Sequence, residues 1–521
     1  MVKKTGRVLE FLSEKVVKII LLGISAILAF WSVRYTYSYP LDYSNERATI
    51  APDSIGGNLV FFLGILVAFY MLQKLLLRGE ESVVQKKIYI FALTTVAVVG
   101  IILFWYVSNS HIPPYWDQAQ VFFDALSFKE GDYSDMKAYL GMYPQQYGLV
   151  FLYELIFLVM PDEYISIQYV NVLFVLVIIF FSYRLADELF HNQVVNLYCI
   201  LGTVAFLPMF LYVNFVYGDV GFTALAIVGN YFVLRWRNEN KVRYALWSVV
   251  SFAFAYLLRK NILIVLLGVL IVLAIDAWKR MSLQSLVVGV MILLIPMLSM
   301  SAVKVSYEMR SGQKVSEGIP AIMWIAMGMQ ESYNGCGVFN GYSESTYRGE
   351  AASDTDSAIR IAKGDIENRL EEFRNDASMT IDFYKAKLQG QWIEPTFSSL
   401  METSKDKGEP TAVVKVLYHG EMQSRILGFM DYYNSVIYIG VFLFVVHALL
   451  KKDDILSLSL PVAIIGGFLF SILWEAKGRY VMPYVVFMLP FMAQGLYVPQ
   501  VIVKKVLQKC LLRPVKFLGK S

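Results

Sequence analysis

The chain has 521 residues and a formal net charge of +4, with 57% hydrophobic and only 17% charged residues, and its mean hydropathy is +0.52. A soluble domain carries about 25% charge, so this chain cannot coat a globular core with polar surface, and lipid must solvate much of it. Soluble enzyme, nucleic-acid binder and disordered hub are excluded, and unbroken rather than alternating apolar runs argue against a β-barrel.

In chain order, the basic amphipathic start (Lys3, Lys4, Arg7, Lys15) leads into an apolar run of spanning length with no small-residue cleavage site, read as a retained helix. Runs long enough to cross the bilayer lie near 16–37, 57–77, 88–108, 165–184, 194–214, 219–235, 243–258, 261–278, 284–304, 431–450, 455–474 and 480–498. Tyr147–Met160 is shorter, carries Glu154, follows Pro144 and stops at Pro161. Parity decides its status. Both tails are basic (Lys504, Lys505, Lys509, Arg513, Lys516 and Lys520 at the C-terminus), which places both inside. Counting back puts 235–243, Lys279–Arg280 and Lys451–Lys452 inside, and counting forward does the same for Lys74–Lys87. The two counts agree only if Tyr147–Met160 does not cross.

The expectation is therefore an all-α polytopic protein of about twelve transmembrane helices. A two-helix extension (1–87) precedes a membrane core (88–304). The core's outer loop, 109–164, holds apolar helices lying along the membrane surface. An outer cap (305–430), mainly helical with a charged stretch at Asp354–Lys387, precedes a three-helix segment with a basic tail (431–521). Cys199, Cys336 and Cys510 give no disulfide framework. His111, His191, His419 and His447 are scattered, so no His/Cys metal cluster is visible.

The polar residues that stand out all fall on the outer side. Asp117, in His111-Ile-Pro-Pro-Tyr-Trp-Asp-Gln, lies nine residues past the third span, where a carboxylate is either functional or a helix N-cap. Asp124, seven residues on, reads as structural. Asp219, after Asn214-Phe-Val-Tyr-Gly, sits at a short outer tip and is again either a cap or a second functional carboxylate. Two such carboxylates could converge on one reacting group, one as base and the other orienting an acceptor or a metal. Arg259-Lys260 interrupts an apolar hairpin against the positive-inside trend, and Lys477 and Arg479 occupy another short outer loop. Together these four cations could bind a lipid-linked phosphate, or they could snorkel to headgroups. Tyr143, Gln146 and Tyr147, the Gly/Asn loop around Asn334, then Trp392, Glu394 and Tyr480 have the aromatic and polar character of sugar recognition; interfacial belts use the same residues.

The ordered set resembles the GT-C class of integral membrane glycosyltransferases, which includes protein O-mannosyltransferases and lipid A aminoarabinose transferases. It is nearest the Gram-positive branch that decorates cell-envelope polymers. The resemblance covers about 88–304, with local matches at Met327–Tyr342, Gln391–Pro395 and Glu475–Tyr480. It implies that Asp117 is the first-loop catalytic carboxylate and Asp219 the second acidic position, with Arg259 and Arg479 meeting the donor phosphate. The class's Asp-Glu doublet appears here as Asp117-Gln118, which leaves a divalent metal possible rather than indicated. The implied reaction moves a sugar from a polyprenyl-phosphate donor to an envelope glycan on the outer face of the plasma membrane, with inversion. The alternatives are a polymerase or ligase working on lipid-linked glycan and, further off, a transporter. The transporter would need charged or broken helices at mid-membrane depth and related halves.

Overall fold

The computed structural model describes residues 2–40, 47–404, 410–451 and 459–511. Lys452, Arg513, Lys516 and Lys520 lie outside them, as do the side chains of Lys3, Lys4, Arg7, Lys451, Lys509 and Cys510. The fold is almost entirely helical.

Among the described residues, helix occupies most of each of the twelve apolar runs, but the helices differ in how well they could cross a bilayer. Eight helices are long and apolar enough by themselves: Glu14–Arg34 (the apolar part of Val2–Arg34), Ile55–Leu76, Glu81–Ser110, Tyr164–Phe190, Ile262–Arg280, Leu283–Ser311, Glu421–Leu450 and Gly478–Lys505. Gln193–Ala205 and Pro208–Asn214 make a ninth only if counted as one span, because they meet at a 52° bend beside Pro208. Val242–Leu258 and Ser459–Leu473 are apolar but short. Asp219–Glu239, interrupted by charged residues at its ends, is helical without meeting the same length and apolarity test.

Outward-facing apolar side chains such as Val60, Ile101 and Leu298 are more than half exposed, as lipid contact requires. Inside the bundle, glycines let backbones touch. A Cβ on Gly495 would lie 1.7 Å from the Gly440 carbonyl oxygen, so the Glu421–Lys451 and Gly478–Leu511 helices could not approach this closely with any other residue there.

Past Arg34 the first predicted span ends in a strand instead of continuing as helix to residue 37. Tyr35–Ser38 pairs antiparallel with Thr49–Pro52, and β-prone Tyr-Thr-Tyr explains the switch. In the cap, the charged stretch from Asp354 is two helices. Asp354 caps Thr355–Asn375 by accepting from the Ser357 N–H, and Asp376 caps Ala377–Trp392 by accepting from the Met379 N–H. A two-residue pairing, Glu331–Ser332 with Gly335–Cys336, adds a turn that the alternation pattern did not reveal.

The cap is split in how it packs. Met323, Ala326, Tyr347 and Ala358 form a small cluster of their own with Met142 of the first loop. Trp392, Phe397, Leu400 and Tyr418 belong instead to the main core of the bundle. The second half of the cap is thus fastened to the helices over one end of the bundle.

Candidate active site

The Trp116–Glu130 helix begins with Trp116 in left-handed backbone conformation (φ 44°). That conformation costs a bulky residue about 1–3 kcal/mol and marks sites where geometry is over-determined. The N-cap is Tyr115, without a side-chain cap bond, so Asp117 is not the cap. Its half-buried carboxylate accepts a hydrogen bond from the Tyr217 hydroxyl (3.2 Å to Oδ2). Tyr217 Oη in turn lies 2.7 Å from Tyr139 Oη and accepts from Gln146 Nε2 at 2.7 Å. Burial, with Asp117 alongside, holds the Tyr139 and Tyr217 phenols well above the ordinary tyrosine range, so both remain proton donors.

Asp219 opens the Asp219–Glu239 helix behind Gly218, whose φ of 87° supplies the turn. Its carboxylate is 5% exposed and is hydrogen-bonded by the Arg259 guanidinium. Arg259 itself lies over the Tyr217 ring, 4.2 Å from the centroid, and Arg479 lies 5.2 Å from the same centroid. One aromatic ring therefore carries two guanidinium groups, a favourable arrangement for each cation that holds like charges together. The Nε atoms of both arginines are buried and make no hydrogen bond among the described residues. A buried donor left open in this way is costly unless something fills it.

A carboxylate from the cap balances the cations. Glu402 pairs with Lys477 at 2.8 Å and with Arg479 at 3.5 Å. Its backbone carbonyl accepts from Gln118 Nε2 (3.2 Å), while Gln118 Oε1 accepts from the Val216 N–H (2.8 Å). Gln118, the neutral half of the expected acidic doublet, is therefore a clamp between the first loop, the second loop and the cap.

The structure thus brings together Asp117, Asp219, Arg259, Lys477, Arg479 and Gln146. Tyr480 adjoins them, its hydroxyl 3.3 Å from Arg479 Nη2 and from Glu475 Oε2. Lys260 is exposed on the turn beside Arg259. Tyr143 bonds Glu344 of the cap and packs on Trp324. Tyr147 is fully buried between Phe128 and Tyr307. Asn334 closes its own turn by donating to the Phe339 carbonyl at 3.1 Å. Trp392 is buried, with Nε1 donating to Ser471 Oγ at 2.9 Å.

Glu394 accepts from the Thr396 N–H and hydroxyl and from the Ser398 N–H at 2.6–2.9 Å, and burial still pushes its carboxyl up to about 7. It shapes the turn that packs on Gly478, next to Arg479. Tyr139, Tyr217 and Glu402 belong to the cluster and were not singled out by sequence reasoning. Tyr217 lies inside the Asn214–Asp219 motif, where its aromatic character was the available signal. Glu402 is separated from every partner by long stretches of chain and carries no local signal.

Among the described residues, no group of three or more His, Cys, Asp or Glu side chains is placed to hold a metal ion. Two cavities lie beside the cluster. One is walled by Tyr37, Tyr39, Glu394 and Asp431, and the other by Tyr37, Tyr39, Lys387 and Lys477.

Compared with known families, residues 147–302 match the family described as dolichyl-phosphate-mannose-protein mannosyltransferase. The curated proteins provide no match. The matched stretch, less than a third of the chain, contains Asp219, Arg259 and Tyr217; Asp117 and the Lys477–Arg479 loop lie on either side of it. The match makes residues 147–302 similar to a family of GT-C-type membrane glycosyltransferases.

Proposed function

We propose that the protein transfers a sugar from a polyprenyl-phosphate carrier to a cell-envelope glycan at the outer face of the plasma membrane. In this reading the chain crosses twelve times with both termini inside, and the cap lies outside. The supporting observation is the Tyr217 hub. It places a carboxylate and two guanidinium groups around one ring, with both arginine Nε donors still open.

Asp117 takes the proton of the acceptor hydroxyl as that oxygen attacks the anomeric carbon. The bond from that carbon to the phosphate oxygen breaks, and its electron pair stays on the departing polyprenyl phosphate. Arg259 and Arg479 face the charge that grows there, the term that most often dominates enzymatic rate enhancement. Asp219, expected as a second reacting carboxylate, acts here through Arg259 by fixing its guanidinium. The Tyr217 hydroxyl orients Asp117, and Tyr139 and Gln146 orient Tyr217.

The test is to incubate the purified full-length protein with polyprenyl-phosphate sugars of defined anomeric configuration and the envelope glycan, and to read the product linkage by NMR. A glycoside of opposite configuration is the expected outcome. Retained configuration rules out the single displacement, and strict dependence on a pyrophosphate donor points to a ligase or polymerase.

A further inference from the structure

Each cation of the cluster already faces a carboxylate, but the carboxylates do not bind alike. Asp219 is hydrogen-bonded by Arg259. Glu402 Oε1 lies 2.8 Å from Lys477 Nζ and 3.5 Å from Arg479 Nη1, so one oxygen of the cap stands before two cations where the Gly478–Leu511 helix begins. At that length the contact with Arg479 is one of charge, not a hydrogen bond.

Arg479 is left short of acceptors. A guanidinium has five N–H donors. Among the described residues this one makes a single hydrogen bond, to Tyr480 Oη at 3.3 Å, and its other neighbours are the rings of Phe215, Tyr217 and Tyr480. Its Nε is open, as is that of Arg259 over the same Tyr217 ring.

The place of Glu402 is set through the backbone. Its N–H donates to the Ser398 carbonyl at 2.9 Å, and its carbonyl accepts from Gln118 Nε2 at 3.2 Å. Thr403, next in the chain, has its hydroxyl 2.7 Å from Tyr418 Oη. None of these bonds uses the Glu402 carboxylate, whose side chain is only 6% exposed. What that carboxylate brings to the cluster is a buried negative charge.

An anion accepting from Arg479 Nε lies across one guanidinium from Glu402 Oε1 and is repelled by it, more strongly the more charge the anion carries. In the transfer proposed above, the donor is a phosphodiester with one negative charge. The departing polyprenyl phosphate is a monoester, and such a group carries about −1.5 to −2 near pH 7. The arginines that stabilise the charge growing on the leaving group would also hold the product. Glu402 opposes the product more than the donor.

We propose that Glu402 is the product-release residue of the transfer: its fixed negative charge, held by the cap against Lys477 and Arg479, keeps the arginine pair from retaining polyprenyl phosphate. The assignment rests on the transferase reading above and adds to it a residue that acts through Arg479 without touching the reacting atoms.

The experiment uses the full chain in lipid nanodiscs at about pH 8, where a phosphate monoester is almost fully ionised. Two probes are titrated separately, polyprenyl phosphate and its methyl diester. Glu402→Gln keeps the side chain's size and removes its charge. It is expected to bind polyprenyl phosphate about tenfold more tightly and the diester only about threefold more tightly, because the Coulomb energy scales with the ligand's charge. Glu402→Ala spares the same backbone bonds and carries the same expectation if the amide variant does not fold. Glu402→Asp keeps the charge and stays near the parent for both probes. An equal shift for the two probes, or weaker binding of the monoester by the neutral variants, overturns the proposal, since a Glu402 that only braces the fold gives one or the other. Arg479→Ala tests the reading beneath it. Both probes should then bind more weakly, and unchanged binding of both removes the phosphate from the arginine pair whatever the Glu402 variants do.

Discussion

Tyr217 has two separable roles, and substitution can divide them. Its hydroxyl bonds Asp117 and Gln146, while its ring carries Arg259 and Arg479. Tyr217→Phe should leave donor KM close to that of the parent and lower kcat by about tenfold, the cost of one hydrogen bond that orients Asp117, the base in the proposed reaction. Tyr217→Ala should also raise donor KM, and steady-state kinetics with varied donor distinguishes the two.

Asp124 behaves differently. Buried, with Oδ2 lacking any hydrogen-bond partner among the described residues, it has its carboxyl pushed from 3.8 up to about 7 by burial, against the Gln120 bond. A raised carboxyl pKa means that the folded state holds the proton more tightly than the unfolded chain. Stability therefore falls as pH rises from about 4 to about 7 and is flat above. Asp124→Asn should raise the melting temperature at about pH 8 by several degrees and do little at about pH 4, a difference that thermal scans at the two values would show. At this scale the sequence showed Asp117, Asp219 and the cations because charge at a membrane boundary is conspicuous. It could not show Glu402, whose role exists only once the cap folds back, nor that Trp392 and Tyr147 are packing residues.

Among the elements, the short helix Tyr147–Phe157 positions the site without contributing reacting groups. Glu154 accepts from the Tyr307 hydroxyl (2.7 Å) and from both terminal nitrogens of Arg310 (2.8–2.9 Å), which pins the helix to Leu283–Ser311. Its other face meets the end of Val242–Leu258, where a Cβ on Gly148 would lie 2.4 Å from the Leu257 carbonyl oxygen. Leu257 is two residues from Arg259. Gly148→Ala must push the two helices apart, and it is expected to lower transfer activity more than folded abundance. Activity per folded molecule, measured after size-exclusion chromatography, checks this. Helices were legible from apolar run length alone. The hairpin after Arg34 was not, because four residues of strand are too few to show alternation and its partner strand lies beyond residue 46.

For the whole molecule, helix occupies most of each of the twelve runs read from sequence, yet among the described residues eight helices meet the length and apolarity expected of a single span. The remainder are bent, short or polar-ended and rely on neighbouring helices for cover, which hydropathy cannot see. The topology proposed here puts the Asp219–Glu239 and Val242–Leu258 connection inside and the cap outside. With the native cysteines replaced, a cysteine at Asn240 should resist a membrane-impermeant maleimide in intact cells. A cysteine at Tyr333, which is 70% exposed, should react. With both termini inside, labelling of position 240 from outside would require an odd number of crossings on each side of it and would overturn this topology.

The central claim is that Asp117 is the base in a transfer centred on Tyr217. The most direct measurement is the initial rate of sugar transfer by Asp117→Asn in nanodiscs, with donor binding determined on the same preparation. A fall of about 10²–10⁴ with donor affinity intact is the predicted result, whereas a rate within about twofold of the parent, less than 0.5 kcal/mol in the barrier, would contradict it.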